Sequence, residues 1–409
     1  MFPERPLSTR LGARFRRMTA SAPVKTPLVG ALLLMPLILG ACASDAPQDG
    51  FSAPEGPIPR AINRVAHPAF FIAYVPVLLF VYGLTMYAVV RYRRKGEDHV
   101  PKQTHGNKAV EIASVGFASV MLIGLGVPAT ATYFDVTEQK NDCMQVSVVG
   151  HQWWWEYRYP AEGTKLETSY PRDILDPTDA EAAKAEGREQ RKIFGIPRED
   201  RPVVVNANEL HIPEGCNVRL NITSMDVLHN YWVPKLAGKI YAIPGKINHL
   251  NIEADKGLAS PGKPHFIYGQ CAEFCGTSHA NMRFKVVVQT KEDFAQWRIS
   301  QAAPARTART ELEKKGEALF VGGAACSTCH YVDSSKEWDV TVDAAKIGPN
   351  LAHVGSRQHF AGAIAPLDNR NLTAWLRNPQ EFKPGSKMVI RQLKNDEIEA
   401  LVAYIKSLK

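Results

Sequence analysis

The sequence predicts a multidomain chain: a two-helix transmembrane hairpin, then a β-sandwich, then an all-α domain. Three observations carry that prediction. Two uncharged apolar stretches, each over twenty residues, lie in the first third. Short alternating apolar runs separated by Pro/Gly turns follow. The last hundred residues end in a helix-periodic pattern. A chain of 409 residues has room for two or three domains.

The opening residues come first. "TPLVGALLLMPLILGAC" (26–42) follows Arg10, Arg14, Arg16, Arg17 and Lys25. A basic region followed by a short apolar run is the pattern of a secretory signal, assigned here to residues 1–41. Its ending "LGAC" looks like a bacterial lipobox, with Cys42 as the lipid-modified first residue; an ordinary signal peptide with a chance cysteine is the competing reading. Residues 42–64 are Pro/Gly-rich and polar, so they read as a flexible lead.

The hairpin occupies residues 65–135. "AFFIAYVPVLLFVYGLTMYAVV" (69–90) and "IASVGFASVMLIGLGVPATATYF" (112–134) are each long enough to cross about 30 Å of hydrocarbon. The formal net charge of +8 is concentrated beside these segments. Residues 1–41 carry +5, residues 91–108 carry +4, and the rest carries −1. No basic domain exists, which argues against a nucleic-acid partner. The positive loop between the two helices belongs in the cytoplasm, and both chain ends lie outside.

From residue 136 to 290 the runs "QVSVVG", "RPVVVNANELHI", "NVRLNIT", "HFIYGQ" and "MRFKVVVQT" predict the β-sandwich. The charged, Ala-rich stretch 176–200 reads as an exposed insertion with a short helix, in a loop running from about 161 to 200. Cys143 and Cys216 each precede a strand. Two separate buried thiols is the favoured reading, although an oxidising compartment permits a disulfide. Residues 291–309 form a linker that lets the next domain move, and 310–409 form the helical domain. In its last helix Ile398, Leu401, Val402, Ile405 and Leu408 share one face.

The chemistry sits in two short motifs. "QCAEFCGTSHANM" (270–282) places Cys271, Cys275, His279 and Met282 in one loop that follows a strand and contains Gly276, so it is not a helix. Cys271, Cys275 and His279 alone allow zinc. Met282 is an unusual zinc ligand, and His229 in "DVLHNYWVP" offers a further donor. Thiolate, imidazole and thioether on a β-sandwich point to copper electron transfer. A mononuclear blue site needs only one thiolate. Two thiolates can each bridge two metals, which suggests a dinuclear centre. The second motif, "CSTCH" (326–330), is the c-type haem attachment signature: thioethers from Cys326 and Cys329, with His330 as proximal ligand. A redox dithiol lacks its βαβ context, and half a zinc site has only His353 and His359 nearby.

The stretches "DVLHNYWVPKLAGK", "IPGKIN" and "YGQCAEFCGTSHANM", with the aromatic run "GHQWWWEYRYP" (150–160), closely resemble subunit 2 of haem-copper cytochrome c oxidases. "IGPNLAHVGSR" and "FKPGSKMVI" resemble a class I cytochrome c, as in the caa-type subunit with a C-terminal fused cytochrome. The first resemblance covers about residues 65 to 290. It implies a cupredoxin-like fold and a dinuclear CuA centre. Cys271 and Cys275 would bridge the coppers, with His229, His279, Met282 and the Glu273 carbonyl as the other ligands. It also implies magnesium on the Glu273 carboxylate at the subunit 1 boundary, and an exposed Trp153 through which electrons arrive. Glu111 aligns with the carboxylate at the mouth of a proton path; a helix-end carboxylate in the headgroup region reads it equally well. The cytochrome resemblance implies haem c with Met388 as distal ligand, and His353 and His359 as surface or propionate-side residues.

The implied role is electron delivery to the oxygen-reducing site of subunit 1, coupled to proton translocation, in a bacterial cytoplasmic membrane. Subunits 1 and 3 are the implied partners, with a soluble or membrane cytochrome c, or a quinol–cytochrome c reductase, as donor. A free-standing membrane electron carrier is the alternative. The chain departs from the family at Tyr241, where many members carry an acid, at "EIASVG", which lacks a Trp-Thr pair, and in its long 176–200 insertion.

Overall fold

The computed structural model describes residues 48–93, 106–137, 143–160, 204–333 and 347–409. The signal segment, Cys42 and the 176–200 insertion lie outside the described residues.

Two long helices carry the apolar stretches: α1, Pro57–Arg91, and α2, Lys108–Thr137. Val75–Arg91 of α1 and the body of α2 are apolar around their circumference and expose Leu79, Phe80, Val90, Ile112 and Leu122. A helix of this kind has no polar face to turn to water and suits lipid. Pro68 removes one backbone donor inside α1, and the helix accommodates it with a wider turn over Ala69–Tyr74. The first turns of α1 begin earlier than the apolar pattern indicates, because they belong to the head. Ile58 packs against the sandwich core. Arg60 forks onto Asp255 with two hydrogen bonds.

The residues before α1 are also seated on the head, contrary to the expected flexible lead. The Glu55 amide donates to the Lys235 carbonyl at 2.9 Å. Its carboxylate accepts from Lys235 Nζ at 2.7 Å and from His265 Nε2 at 2.9 Å.

Among the described residues ten strands form the sandwich: β1 Met144–His151, β2 Trp154–Tyr159, β3 Val204–Ala207, β4 Glu209–Pro213, β5 Val218–Ser224, β6 His229–Trp232, β7 Lys239–Ala242, β8 Asn248–Ile252, β9 His265–Cys271 and β10 Arg283–Gln289. One sheet runs β3-β2-β1-β5-β8 and the other β4-β10-β9-β6-β7. Most neighbours are antiparallel, but β1 lies parallel to β5 and β4 parallel to β10. The two-residue period of β2 sends Trp155, Tyr157 and Tyr159 into the core between the sheets. There Tyr231 stacks on Phe284 at 4.3 Å between ring centres, and Trp155 meets Tyr231 edge-on at 5.0 Å.

Cys143 and Cys216 form a disulfide, with Cα atoms 5.8 Å apart. The favoured reading of two separate thiols is therefore corrected. Both residues precede strands that run side by side, β1 and β5, and the Cys143 amide donates to the Asn217 carbonyl at 3.0 Å. Strand pairing brings the two sulfurs together.

The linker is also more ordered than its composition suggests. Thr290 caps a helix, α3 (Lys291–Ala302), by accepting from the Asp293 amide at 3.1 Å. Trp297 of α3 stacks on His211 of β4 at 4.0 Å, which holds the helix against the sandwich. The C-terminal domain then contains α4 (Glu311–Ala318), a two-stranded ribbon His359–Phe360/Ala365–Pro366, α5 (Asn369–Arg377), α6 (Pro379–Phe382) and α7 (Asn395–Ser407). The five apolar residues read on one face of the last helix, Ile398 to Leu408, are all buried. α4 crosses α7 at Gly316, where a Cβ would meet the Ala400 carbonyl oxygen at 2.1 Å. Only glycine permits that approach.

Candidate functional site

The first site is built on two adjacent strand ends. His229 opens β6, and Cys271 closes β9, which pairs with it. The chain then loops through Cys275 and a single 3-10 turn, His279–Asn281, before β10. The Cys271 amide donates to the Met282 carbonyl at 3.0 Å and ties the loop's two ends together.

Six donor atoms converge. The two sulfurs stand 3.9 Å apart. Cys271 Sγ lies 3.9 Å from His229 Nδ1 and 3.3 Å from the Glu273 carbonyl oxygen. Cys275 Sγ lies 3.5 Å from His279 Nδ1 and 3.7 Å from Met282 Sδ. Cys271, Cys275, His229 and Met282 are buried. The pair of thiols splits its titration. Cys271 is pulled down to about 4, first by the hydrogen bond from Cys275, while the same neighbour and burial push Cys275 up. A buried pocket that already favours one thiolate, with two imidazole nitrogens facing the sulfurs, fits a cationic metal cluster.

Three residues outside the ligand set, Asp226, Gln152 and Trp153, hold this arrangement. Asp226 accepts from His229 Nε2 at 2.9 Å, which leaves Nδ1 as the ligating nitrogen. Burial opposes its ionisation, yet hydrogen bonds from His229, Gln152 and Val227 hold the Asp226 carboxyl down at about 2. Gln152 Nε2 and Trp153 Nε1 both donate to the Cys275 carbonyl, at 2.8 and 3.0 Å. The i, i+3 relation of Asp226 to His229 in "DVLHN" was a usable signal for the first.

The second site is a cavity of about 600 Å³ in the C-terminal domain. Cys326, Cys329, His330 and Met388 line it, among apolar walls that include Phe320, Leu372 and Leu376. The two cysteines are free thiols on a short turn. His330 Nδ1 donates to the Pro349 carbonyl at 2.8 Å, which fixes the tautomer with the lone pair on Nε2. Paired attachment thiols, an oriented imidazole and a thioether around an apolar cavity fit a covalently attached haem.

The two sites adjoin. Gln152, Trp153 and Trp154 of the sandwich complete the wall of the cavity. Trp153 is only 9% exposed, because the C-terminal domain covers it. The expected exposed tryptophan is corrected: it is sealed between domains. His353 is likewise buried, donating through Nε2 to the Ala303 carbonyl at 2.9 Å, so it is no surface residue. His359 accepts from Lys285 Nζ at 2.8 Å across the domain boundary.

Residues 144–290 match the family described as "Cytochrome C oxidase subunit II, periplasmic domain", and residues 313–409 match "Cytochrome c". Cytochrome c oxidase subunit 2 of Alkalihalophilus pseudofirmus is 30% identical over 341 residues, covering 81% of this chain and 83% of that protein. The chain belongs to the cytochrome c oxidase subunit 2 family. The subunit 2 of Bacillus subtilis is 28% identical over 401 residues and covers 93% of this chain and 97% of its own. This chain is thus a subunit of an oxidoreductase, with a CuA-type domain and a cytochrome c domain on a membrane hairpin.

The remaining expected residues are less gathered. Glu273 turns its carbonyl to Cys271. Among the described residues its carboxylate joins no cluster of three or more His, Cys, Asp or Glu ligands. Glu111 sits in the first turn of α2, exposed, where a carboxylate complements the helix dipole. Tyr241 of β7 is 45% exposed beside β6.

Proposed function

We propose that this subunit takes electrons in through a covalent haem c and passes them across Trp153 to a CuA centre. From there they go to the oxygen-reducing site of subunit 1, with proton translocation coupled to that reduction. The supporting observation is a residue that the two sites share. Trp153 lines the cavity that holds Cys326, Cys329, His330 and Met388, and its indole N–H is bonded to the Cys275 carbonyl.

Cys271, Cys275, His229, His279, Met282 and the Glu273 carbonyl would hold the two coppers, and Cys326, Cys329, His330 and Met388 the haem. When bound, the groups supply one-electron carriers of a potential suited to the task, since Met/His ligation raises that of a haem. The protein's share is positioning. Asp226 fixes the His229 tautomer, Pro349 fixes that of His330, and the buried aromatic wall keeps water from between the sites.

The hairpin would anchor the subunit in a bacterial cytoplasmic membrane with both heads on the periplasmic side, assisted by a lipid on Cys42. Subunits 1 and 3 would be its partners, and a cytochrome c or a quinol–cytochrome c reductase its donor. Magnesium on Glu273 and a proton-path role for Glu111 belong to the interface with subunit 1. A free-standing electron carrier is the competing reading, and co-purification with a haem-bearing twelve-helix subunit separates the two. The ligand set itself is tested by Cys271→Ser. The variant should lose the mixed-valence copper signal and keep the haem spectrum; a normal two-copper signal in it would refute the assignment.

A further inference from the structure

The seam between the two heads is closed by two buried ionisable side chains, one from each domain, each bonded to the other domain's backbone. Glu209 of β4 is 2% exposed. Its Oε1 accepts from the backbone amides of Gln358 and His359 of the cytochrome domain, both at 2.9 Å. Lys383 of the cytochrome domain is 4% exposed. Its Nζ donates to the Trp153 carbonyl at 2.6 Å and to the Ala361 carbonyl at 3.0 Å. Between these points the Arg283 amide donates to the Gly362 carbonyl at 3.2 Å.

We propose that Glu209 and Lys383 are positioning residues that lock the cytochrome domain onto the CuA domain. The lock makes the cytochrome domain a fixed relay rather than a tethered carrier, and it closes Trp153 to direct contact with an external donor. The functional half of this inference rests on the haem-to-copper route proposed above; the lock itself does not.

Three observations support it. Polar groups this deeply buried are costly unless hydrogen-bonded. Besides His211 and Ala361 in their own domains, Glu209 and Lys383 gain the Gln358 and His359 amides and the Trp153 carbonyl only when the domains are docked. Burial brings Lys383 down to about 7. Burial opposes ionisation of Glu209, yet hydrogen bonds from His211 and His359 hold it down at about 2, so it is a charged acceptor at the seam. The clamp also reaches the ligand loops. A Cβ on Gly385 would meet Thr277 at 2.9 Å, and Lys387, beside Met388, stands 3.6 Å from Asp226, the residue that orients His229. The Met388 loop therefore lies on the copper loop and its supports, with Lys383 at its base.

The test uses the intact oxidase with both cofactors loaded. After photochemical reduction of the haem, the electron step to copper is timed in buffer and at about twice the viscosity. A fixed relay gives one rate in both. Lys383→Met and Glu209→Gln, with unchanged haem and copper spectra, should give a step about ten-fold slower and sensitive to viscosity, because the docked state loses or weakens its bonds to the Trp153 carbonyl and to the Gln358 and His359 amides. Amide hydrogen exchange supplies the second readout. Peptides at 152–155 and 358–362 should exchange faster in the variants while the cores around Phe284 and Leu401 stay protected, which separates undocking from unfolding. A viscosity-dependent wild-type step, or variants with wild-type exchange at both peptides, overturns the lock. A wild-type haem that never reduces the copper overturns the route instead, and the exchange result then still decides the lock.

Discussion

Trp153 donates its indole N–H to the Cys275 carbonyl at 3.0 Å, so the aromatic ring beside the cytochrome cavity is bonded to the backbone of a proposed copper ligand. Trp153→Phe keeps a ring and removes the donor. The Cys275 carbonyl keeps its other donor, Gln152 Nε2 at 2.8 Å, so the loss is one hydrogen bond, about 1 kcal/mol, and the ring is no longer tied to the loop bearing Cys275. Electron transfer into the copper centre should slow by several-fold, because the bond between the ring and the Cys275 backbone is gone. Both cofactor spectra should remain. Flash-reduction kinetics check this, and an unchanged rate would remove Trp153 from the route.

Asp226→Asn replaces the carboxylate that holds His229 through Nε2. Loss of such an outer partner weakens metal retention by roughly 10–100-fold. Copper titration against a competing chelator measures it. Haem content should be unaffected.

Met388→Leu removes the thioether from the cavity that also contains His330. The potential of the haem should fall by a sizeable part of the roughly 0.8 V range that axial ligation spans, because a thioether favours reduced iron. Potentiometric titration of the haem band reads the shift. Oxygen consumption from a soluble reduced cytochrome should fall with it, while the copper signal persists.

Acid should loosen the heads in a defined window. Burial opposes the ionised forms of Glu156 and Glu209. Arg158 and His151 around the first, and His211 and His359 around the second, nevertheless bring both from an ordinary 4.5 to about 2. A carboxyl depressed on folding binds fewer protons in the native state, so its stabilisation is complete above pH 4.5. It fades as pH falls from there through about 2. Each contributes on the order of 3 kcal/mol at neutral pH. Thermal denaturation should be flat with pH above 5 as far as these two groups decide it, and the midpoint should drop steeply below about 4. Glu209→Gln should flatten part of that drop.

Gly316→Leu would drive a side chain into the Ala400 carbonyl at the α4–α7 crossing. Overpacking of this kind costs about 3 kcal/mol. The loss should appear in melting followed at the haem band and leave the copper domain's transition in place.

Legibility from sequence followed the range of the interactions. The ligand loop 271–282 and the motif 326–330 compress most of their donors into short spacings, so residue type and count announced the chemistry. The hairpin was plain because an uncharged stretch has few alternatives. The seam was not, because Glu209 and Gln358 are 149 positions apart and the acceptors of Lys383 are backbone carbonyls, which carry no residue signature. Lys383 sits inside "FKPGSKMVI", a segment informative only for its methionine until the docking is seen. The same blindness hid the covering of Trp153. The α3 helix, by contrast, left a readable signal in Thr290 with Glu292 and Asp293 in its first turn. Its Ala- and Arg-rich continuation obscured it.

The Cys143–Cys216 bridge spans 73 positions, and residues 161–203 fall within that interval. A protease cut at any bond between the two cysteines therefore yields two pieces that stay covalently joined. Such a nicked chain would migrate as one band without thiol and as two bands with it. Chain continuity in that region is thus dispensable for keeping the hairpin attached to the metal-bearing part, provided the molecule stays oxidised. Integrity judged from a non-reducing gel alone would miss every such scission.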